Sequence, residues 1–135
     1  GSRRTGVQVM IEPDSEEMHQ QTALKKRLLR FFPFHFCRRA QTTDTKSILQ
    51  NQILISDRSP FRVSRKHCII DTVGDSVFIE DKTSQLGTVV NGIPIGGNSQ
   101  ETRVKLIHGS NTLVLGGQDS HVRFRLDVSV PDQAV

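Results

Sequence analysis

Short apolar segments recur along the chain and none runs for more than a few residues. Ile53-Leu54-Ile55, Cys68-Ile69-Ile70, Val77-Phe78-Ile79, Val89-Val90, Ile93-Pro94-Ile95, Val104–Ile107 and Leu113-Val114-Leu115 each lie between polar or glycine-bearing stretches. Val122, Phe124, Leu126, Val128 and Val130 alternate with Arg123, Arg125, Asp127 and Ser129, the period of two that buries one face of a strand. Asn91-Gly92 between two apolar segments predicts a hairpin, because a type I′ turn needs positive φ at both central residues. Thr22–Arg30 is the one stretch of helical composition. Phe32, Phe34 and Phe36 follow it with strand spacing, so residues 27–36 are expected to form a first strand with Pro33 at an edge. This succession of short strands predicts an all-β sandwich.

Residues 3–22 carry no sustained pattern. Val7, Val9 and Ile11 alternate as a short extra strand would, whereas Glu12–Glu17 reads as a polar linker. The expected organisation is a flexible or partly ordered tail over 1–22, beginning with the tag remnant Gly1-Ser2, then one domain over 23–130 and a short tail over 131–135.

The net charge of +4 is uneven: residues 1–22 carry −2, leaving +6 on the remainder, so an acidic partner is favoured. The acidic tail could also fold back onto basic loops of its own chain. No apolar run approaches the roughly 20 residues that cross a bilayer, and a non-membrane, cytoplasmic protein is expected. Cys37 and Cys68 are too few for a disulfide framework and fit a reducing compartment. His67 and Cys68, adjacent in a strand, face opposite ways, so no metal site is expected. No nucleophile elbow, phosphate-cradling glycine loop or carboxylate pair indicates an enzyme, and no cofactor is implied. The aromatic residues are seven phenylalanines, mostly at core spacing, which leaves no stacking platform for nucleic acid.

The candidate chemistry lies in Pro60-Phe-Arg-Val-Ser-Arg-Lys-His67, a basic, hydroxyl-bearing loop ahead of a strand. Together with Phe36-Cys37-Arg38, Asn51–Ile55, Asp81-Lys-Thr-Ser-Gln-Leu-Gly-Thr-Val-Val-Asn-Gly92 and His108–Gly116, in that order, it resembles the forkhead-associated (FHA) domain over roughly residues 27–128. The resemblance implies a sandwich of about eleven mostly antiparallel strands, with loops at one end that bind a phosphothreonine-containing protein or peptide in signalling. By that resemblance Arg38 grips the phosphate, Ser64 donates its hydroxyl to it, and Arg65 makes a second contact. Arg62 is placed to select an acidic residue of the peptide. His67, Gly87 and Asn91 support the loops. A phosphate with nearly two charges and three acceptor oxygens suits a guanidinium beside a hydroxyl, within the positive field of Arg39, Arg58 and Lys66. Other domains of a parent chain are further expected partners.

Two positions depart from the family pattern. Cys37 replaces its glycine, and Leu86 replaces the asparagine whose amide bonds the peptide backbone. Leucine has no donor or acceptor; the loss of one or two hydrogen bonds weakens binding by a few-fold to a hundred-fold, at about 0.5–1.5 kcal/mol each. The amide of Gln85 compensates in part. The alternative is a degenerate FHA domain that binds a protein partner independently of phosphate, through an apolar contact at Leu86.

Overall fold

The computed structural model describes residues 6–22, 26–39 and 48–130. In chain order the elements are β1 (Gln8–Pro13), α1 (Glu16–Thr22), β2 (Arg27–Leu29), β3 (Phe34–Arg38), β4 (Ile48–Leu49), β5 (Gln52–Ile55), β6 (Cys68–Val73), β7 (Ser76–Asp81), β8 (Thr88–Val90), β9 (Ile93–Ile95), β10 (Arg103–Lys105), β11 (Gly109–Leu115) and β12 (Arg123–Ser129). They form two six-stranded sheets, β2-β1-β12-β11-β8-β9 and β10-β7-β6-β3-β5-β4. All described pairings are antiparallel except β3 with β5. This is the β-sandwich that the alternating pattern and turn signals predict.

Alternation places the core. Val9 and Ile11 of β1, Phe34 and Phe36 of β3, Ile53 and Ile55 of β5, and Phe124, Leu126 and Val128 of β12 are all buried between the sheets. The Phe36 ring lies 5.6 Å from Phe34 and 5.5 Å from Phe124, centroid to centroid, joining the sheets by edge and tilted aromatic contacts. The charged alternates of β12 face outward.

Two sequence expectations change. The segment read as one strand over residues 27–36 is two strands in different sheets: β2 pairs β1, and β3 pairs β5 and β6. Pro33 lies between them, where a residue without an N–H interrupts no ladder. The extra strand suggested by Val7, Val9 and Ile11 forms and runs on through Glu12 and Pro13, the start of the expected linker: Gln8–Pro13 pairs along its whole length with β12 from Gln8↔Ser129 to Pro13↔Phe124. Its partner lies more than a hundred residues away, so the local alternation could suggest the strand but not its pairing or its full length. Two of the acidic residues of this segment pair within their own sheet. Glu12 and Asp14 lie 3.8 and 3.7 Å from the guanidinium of Arg125 on the neighbouring strand.

Helix α1 follows directly. Ser15 Oγ accepts from the Met18 N–H, the arrangement of an N-capping serine, and Met18 is fully buried. Ser15 Oγ donates to His121 O, while Gln21 accepts from Ser56 N and donates to Ser56 O. The helix thereby ties the β5–β6 and β11–β12 connections together at one end of the sandwich. No helix among the described residues is long and apolar enough to cross a membrane.

Candidate functional site

The register brings the ends of β3, β5, β7, β9 and β11 to the same end of the sandwich. The connections 56–67, 82–87, 96–102 and 116–122 therefore meet there, together with Arg38 and Arg39. Loops on a rigid sheet end can hold donors in fixed positions without covering them.

Arg38 closes β3. Its backbone N–H is shared between Ser64 O and Arg65 O at 3.2 and 3.3 Å, which fixes the β5–β6 loop beside it. Its guanidinium donates to Val63 O at 3.1 Å and stacks 3.9 Å above the centroid of Phe61. These two contacts hold the group, and Arg38 is half-buried. Phe61, 39% exposed, was not singled out by the sequence; its one signal is an aromatic in a polar loop, away from the core alternation.

Asp57 shapes that loop. Its carboxylate accepts from the backbone N–H groups of Arg58, Arg62 and Val63 at 2.7–2.9 Å, turning the chain before Ser64. The Ser64 N–H donates to His67 Nδ1 at 3.0 Å, and Ser64 Oγ accepts from the Gln85 N–H at 3.0 Å. Among the described residues nothing takes the Ser64 hydroxyl proton, which remains available to an anion.

His67 is fully buried and joins the 56–67 and 82–87 loops. With Nδ1 accepting from Ser64, the ring N–H is on Nε2 and donates to Gly87 O at 2.9 Å. Burial lowers the pKa of His67, so the imidazole stays neutral despite the raising influence of the Gly87 carbonyl, Asp81 and Asp57. A proton on Nδ1 would face the Ser64 N–H.

A second buried hub lies under the β7–β8 loop. Asp81 accepts from the Ser84 N–H, the Ser84 hydroxyl and the Thr88 hydroxyl at 2.6–2.8 Å. Ser84 Oγ in turn accepts from Gly87 N, and Gly87 O accepts from Gly116 N. Gly87 has φ +87°, and a Cβ on Gly116 would come within 2.6 Å of Arg62 O, so both sites exclude side chains. Asp57, Asp81 and Ser84 were missed in the sequence. Their signal is the Asp and Ser turn chemistry ahead of each loop, which many solvated turns share.

The remaining predicted residues divide. Arg65, Lys66, Arg58 and Gln85 are exposed around the loops. The Arg62 guanidinium is engaged by the 116–122 connection: it donates to Gly116 O and Asp119 Oδ1, both at 3.1 Å, and holds the Asp119 carboxyl below its usual range. Leu86 is 49% exposed and borders an open depression of about 470 Å3 with Val89, Pro94 and Gln118. Asn91 is at the opposite end, where φ +51° shapes the β8–β9 turn and its amide donates to Asn111. Cys37 sits in β3 with its thiol toward Gln52, and burial pushes that thiol's pKa up. Among the described residues only Thr83 and Asn91 take positive φ without being glycine, so the backbone at Cys37 accepts a side chain.

Residues 44–116 match the family model of the FHA domain. No curated protein matches the chain significantly. Solved structures share the fold at low identity. One from work on phosphothreonine-dependent FHA domain interactions has TM-score 0.56 at 19% identity, covering 89% of this chain and 95% of its own. The FHA domain of CT664 protein from Chlamydia trachomatis has TM-score 0.56 at 21% identity, covering 94% and 99%. The FHA domain of an Arabidopsis thaliana hypothetical protein has TM-score 0.57 at 18% identity, covering 100% and 98%. With a family match over more than half of the sequence and the same sandwich in these structures, the chain belongs to the FHA family of phosphoprotein-interaction modules.

Proposed function

We propose that the loop end binds a phosphothreonine peptide. The observation that carries this reading is Arg38, whose guanidinium is held by Val63 O and the Phe61 ring while its backbone N–H bonds the carbonyl of Ser64, a serine with an uncommitted hydroxyl proton. Donors fixed before the ligand arrives lose little freedom on binding. Arg65, Lys66 and Arg58 add an exposed positive field, while the Asp57, His67 and Asp81 bonds hold the loops in place. The phosphate contacts go to Arg38, Ser64 and Arg65. Gln85 and Leu86 face the peptide backbone and set preference. Arg62 acts through its bonds to Gly116 and Asp119 of the neighbouring 116–122 connection, and Asn91 braces the far end. The free cysteines fit a cytoplasmic setting, and a signalling role follows from phosphate dependence.

Calorimetric titration with phosphothreonine peptides and their unphosphorylated counterparts tests the reading. Arg38→Ala is expected to weaken phosphopeptide binding by about ten- to a hundred-fold, the loss of one or two charge-assisted bonds, with the fold intact. Equal binding by Arg38→Ala, or by the unphosphorylated peptide, overturns it.

One observation favours a second reading. Leu86 and its depression offer an apolar contact that needs no phosphate. Binding of a protein partner that is lost in Leu86→Asp but kept in Arg38→Ala is the result that this reading expects.

A further inference from the structure

A second cluster of cations lies away from the loop end. Lys26, Arg27 and Arg30 fall within five consecutive residues, all are exposed, and no ion pair or hydrogen bond engages their side chains among the described residues. Much of the other cationic surface is occupied. Arg62 pairs with Asp119, Lys82 with Glu80 and Arg125 with Glu12 and Asp14, while Arg103 stacks on Phe78 and Arg123 caps carbonyls. The three cations line a groove of about 310 Å3 together with Gln50, Leu29 and Phe34, with no carboxylate among the described residues of its wall.

Phe31 at the same groove is 46% exposed. The groove runs beside β2, the outermost strand of its sheet, which pairs only with β1 among the described residues. Among the described residues one edge of its backbone is thus left without a strand partner. Charge alone on an edge strand guards against unwanted pairing. Charge together with an aromatic, a groove and an open strand edge is the set of contacts that an added strand uses, main chain for affinity and side-chain pockets for choice.

We propose that this groove is a second docking site, taking an extended acidic segment of a partner protein that adds to the free edge of β2 and seats an apolar side chain against Phe31. Charge complementarity selects the occupant: three unpaired cations favour Glu or Asp, and the strand edge favours a polypeptide over a phosphodiester chain. The site is separate from the phosphate loops. Phe34 begins the strand that Arg38 ends, about 13 Å away along the chain at the usual rise per residue.

The test uses the whole chain and a labelled, unphosphorylated peptide rich in Glu with a single Leu, followed by fluorescence anisotropy and amide chemical shifts. Saturable binding that weakens with salt, shifts the amides of residues 26–31, falls about tenfold or more in Arg27→Glu/Arg30→Glu, and is unchanged in Arg38→Ala supports the site. A version of the peptide with proline at alternate positions is expected to lose binding, since it cannot complete a ladder. Phe31→Ala is a milder variant that should weaken binding without charge reversal. Absence of saturable binding, equal binding by the charge-reversed variant or by the proline peptide, or preference of the same residues for anionic vesicles or single-stranded DNA overturns it. Because the probe carries no phosphate and Arg38→Ala is a control, failure here leaves the phosphothreonine reading standing, and the reverse also holds.

Discussion

The two ends of the sandwich each bury a polar hub, and they use it differently. At the loop end Asp81, 4% exposed, gathers the Ser84 and Thr88 groups under a loop whose neighbours leave a guanidinium face and a hydroxyl proton unspent. At the far end Asn111, 1% exposed, meets its bonding needs within the fold: its amide reaches Ile107 O, Gly109 O and Leu126 O, and its oxygen accepts from Ile107 N and Asn91 Nδ2. Both satisfy buried backbone groups, as low-dielectric interiors require. If the loop end binds phosphopeptide as proposed, the difference separates stability from binding within one architecture. A hub that closes on itself stabilises a turn, and a hub beneath open donors aims them.

The largest expected effect breaks this contrast directly. Asp81→Ala should cost about 3 kcal/mol or more, because it strips three bonds from a buried carboxylate network, and it should weaken phosphopeptide binding as the β7–β8 loop shifts. Asn111→Ala should cost about 2–3 kcal/mol and leave affinity in the folded protein unchanged. Urea midpoints and calorimetry on both variants check the pair; an Asp81 variant with full affinity would abolish the distinction.

His67 sharpens it next. The folded state lowers its pKa below the ordinary 6.5, so the unfolded chain binds more protons as pH falls through that value. The stabilisation from neutral His67 is fully present above 6.5 and is lost progressively below it, down to the folded pKa. Urea midpoints should fall across that window, and His67→Asn should flatten this part of the profile.

Leu86→Asn should raise phosphopeptide affinity by about two- to tenfold, the gain of one neutral hydrogen bond, with no change in unfolding. The smallest effect belongs to Phe61. Removing its ring in Phe61→Ala should weaken binding by about two- to fivefold, as an exposed cation–π contact is lost, and Phe61→Tyr should restore it. Unchanged affinity in Phe61→Ala would mean that the Val63 carbonyl alone positions Arg38.

How far the site could be read from residues depends on whether its determinants are local. Arg38, Ser64 and His67 stand in short motifs, and Ser64 and His67 meet three residues apart. Phe61 escaped because its value lies in Arg38, which approaches from a different strand, and Asp81 because a buried carboxylate and a solvated one look alike in sequence. Arg62 was read from its place beside Ser64; its partner Asp119 comes from a loop more than fifty residues on.

The alternation of β12, the Asn91-Gly92 turn and the order of the motifs were enough to specify an all-β sandwich with a basic loop, since side-chain period and turn chemistry act between neighbours along the chain. Only the tertiary structure decided that Gln8–Pro13 completes a sheet, that residues 27–36 divide between two sheets, and which cations remain unpaired. Those outcomes depend on which strand edges and carboxylates meet across the sandwich, and such contacts between distant segments are settled when the sheets pack.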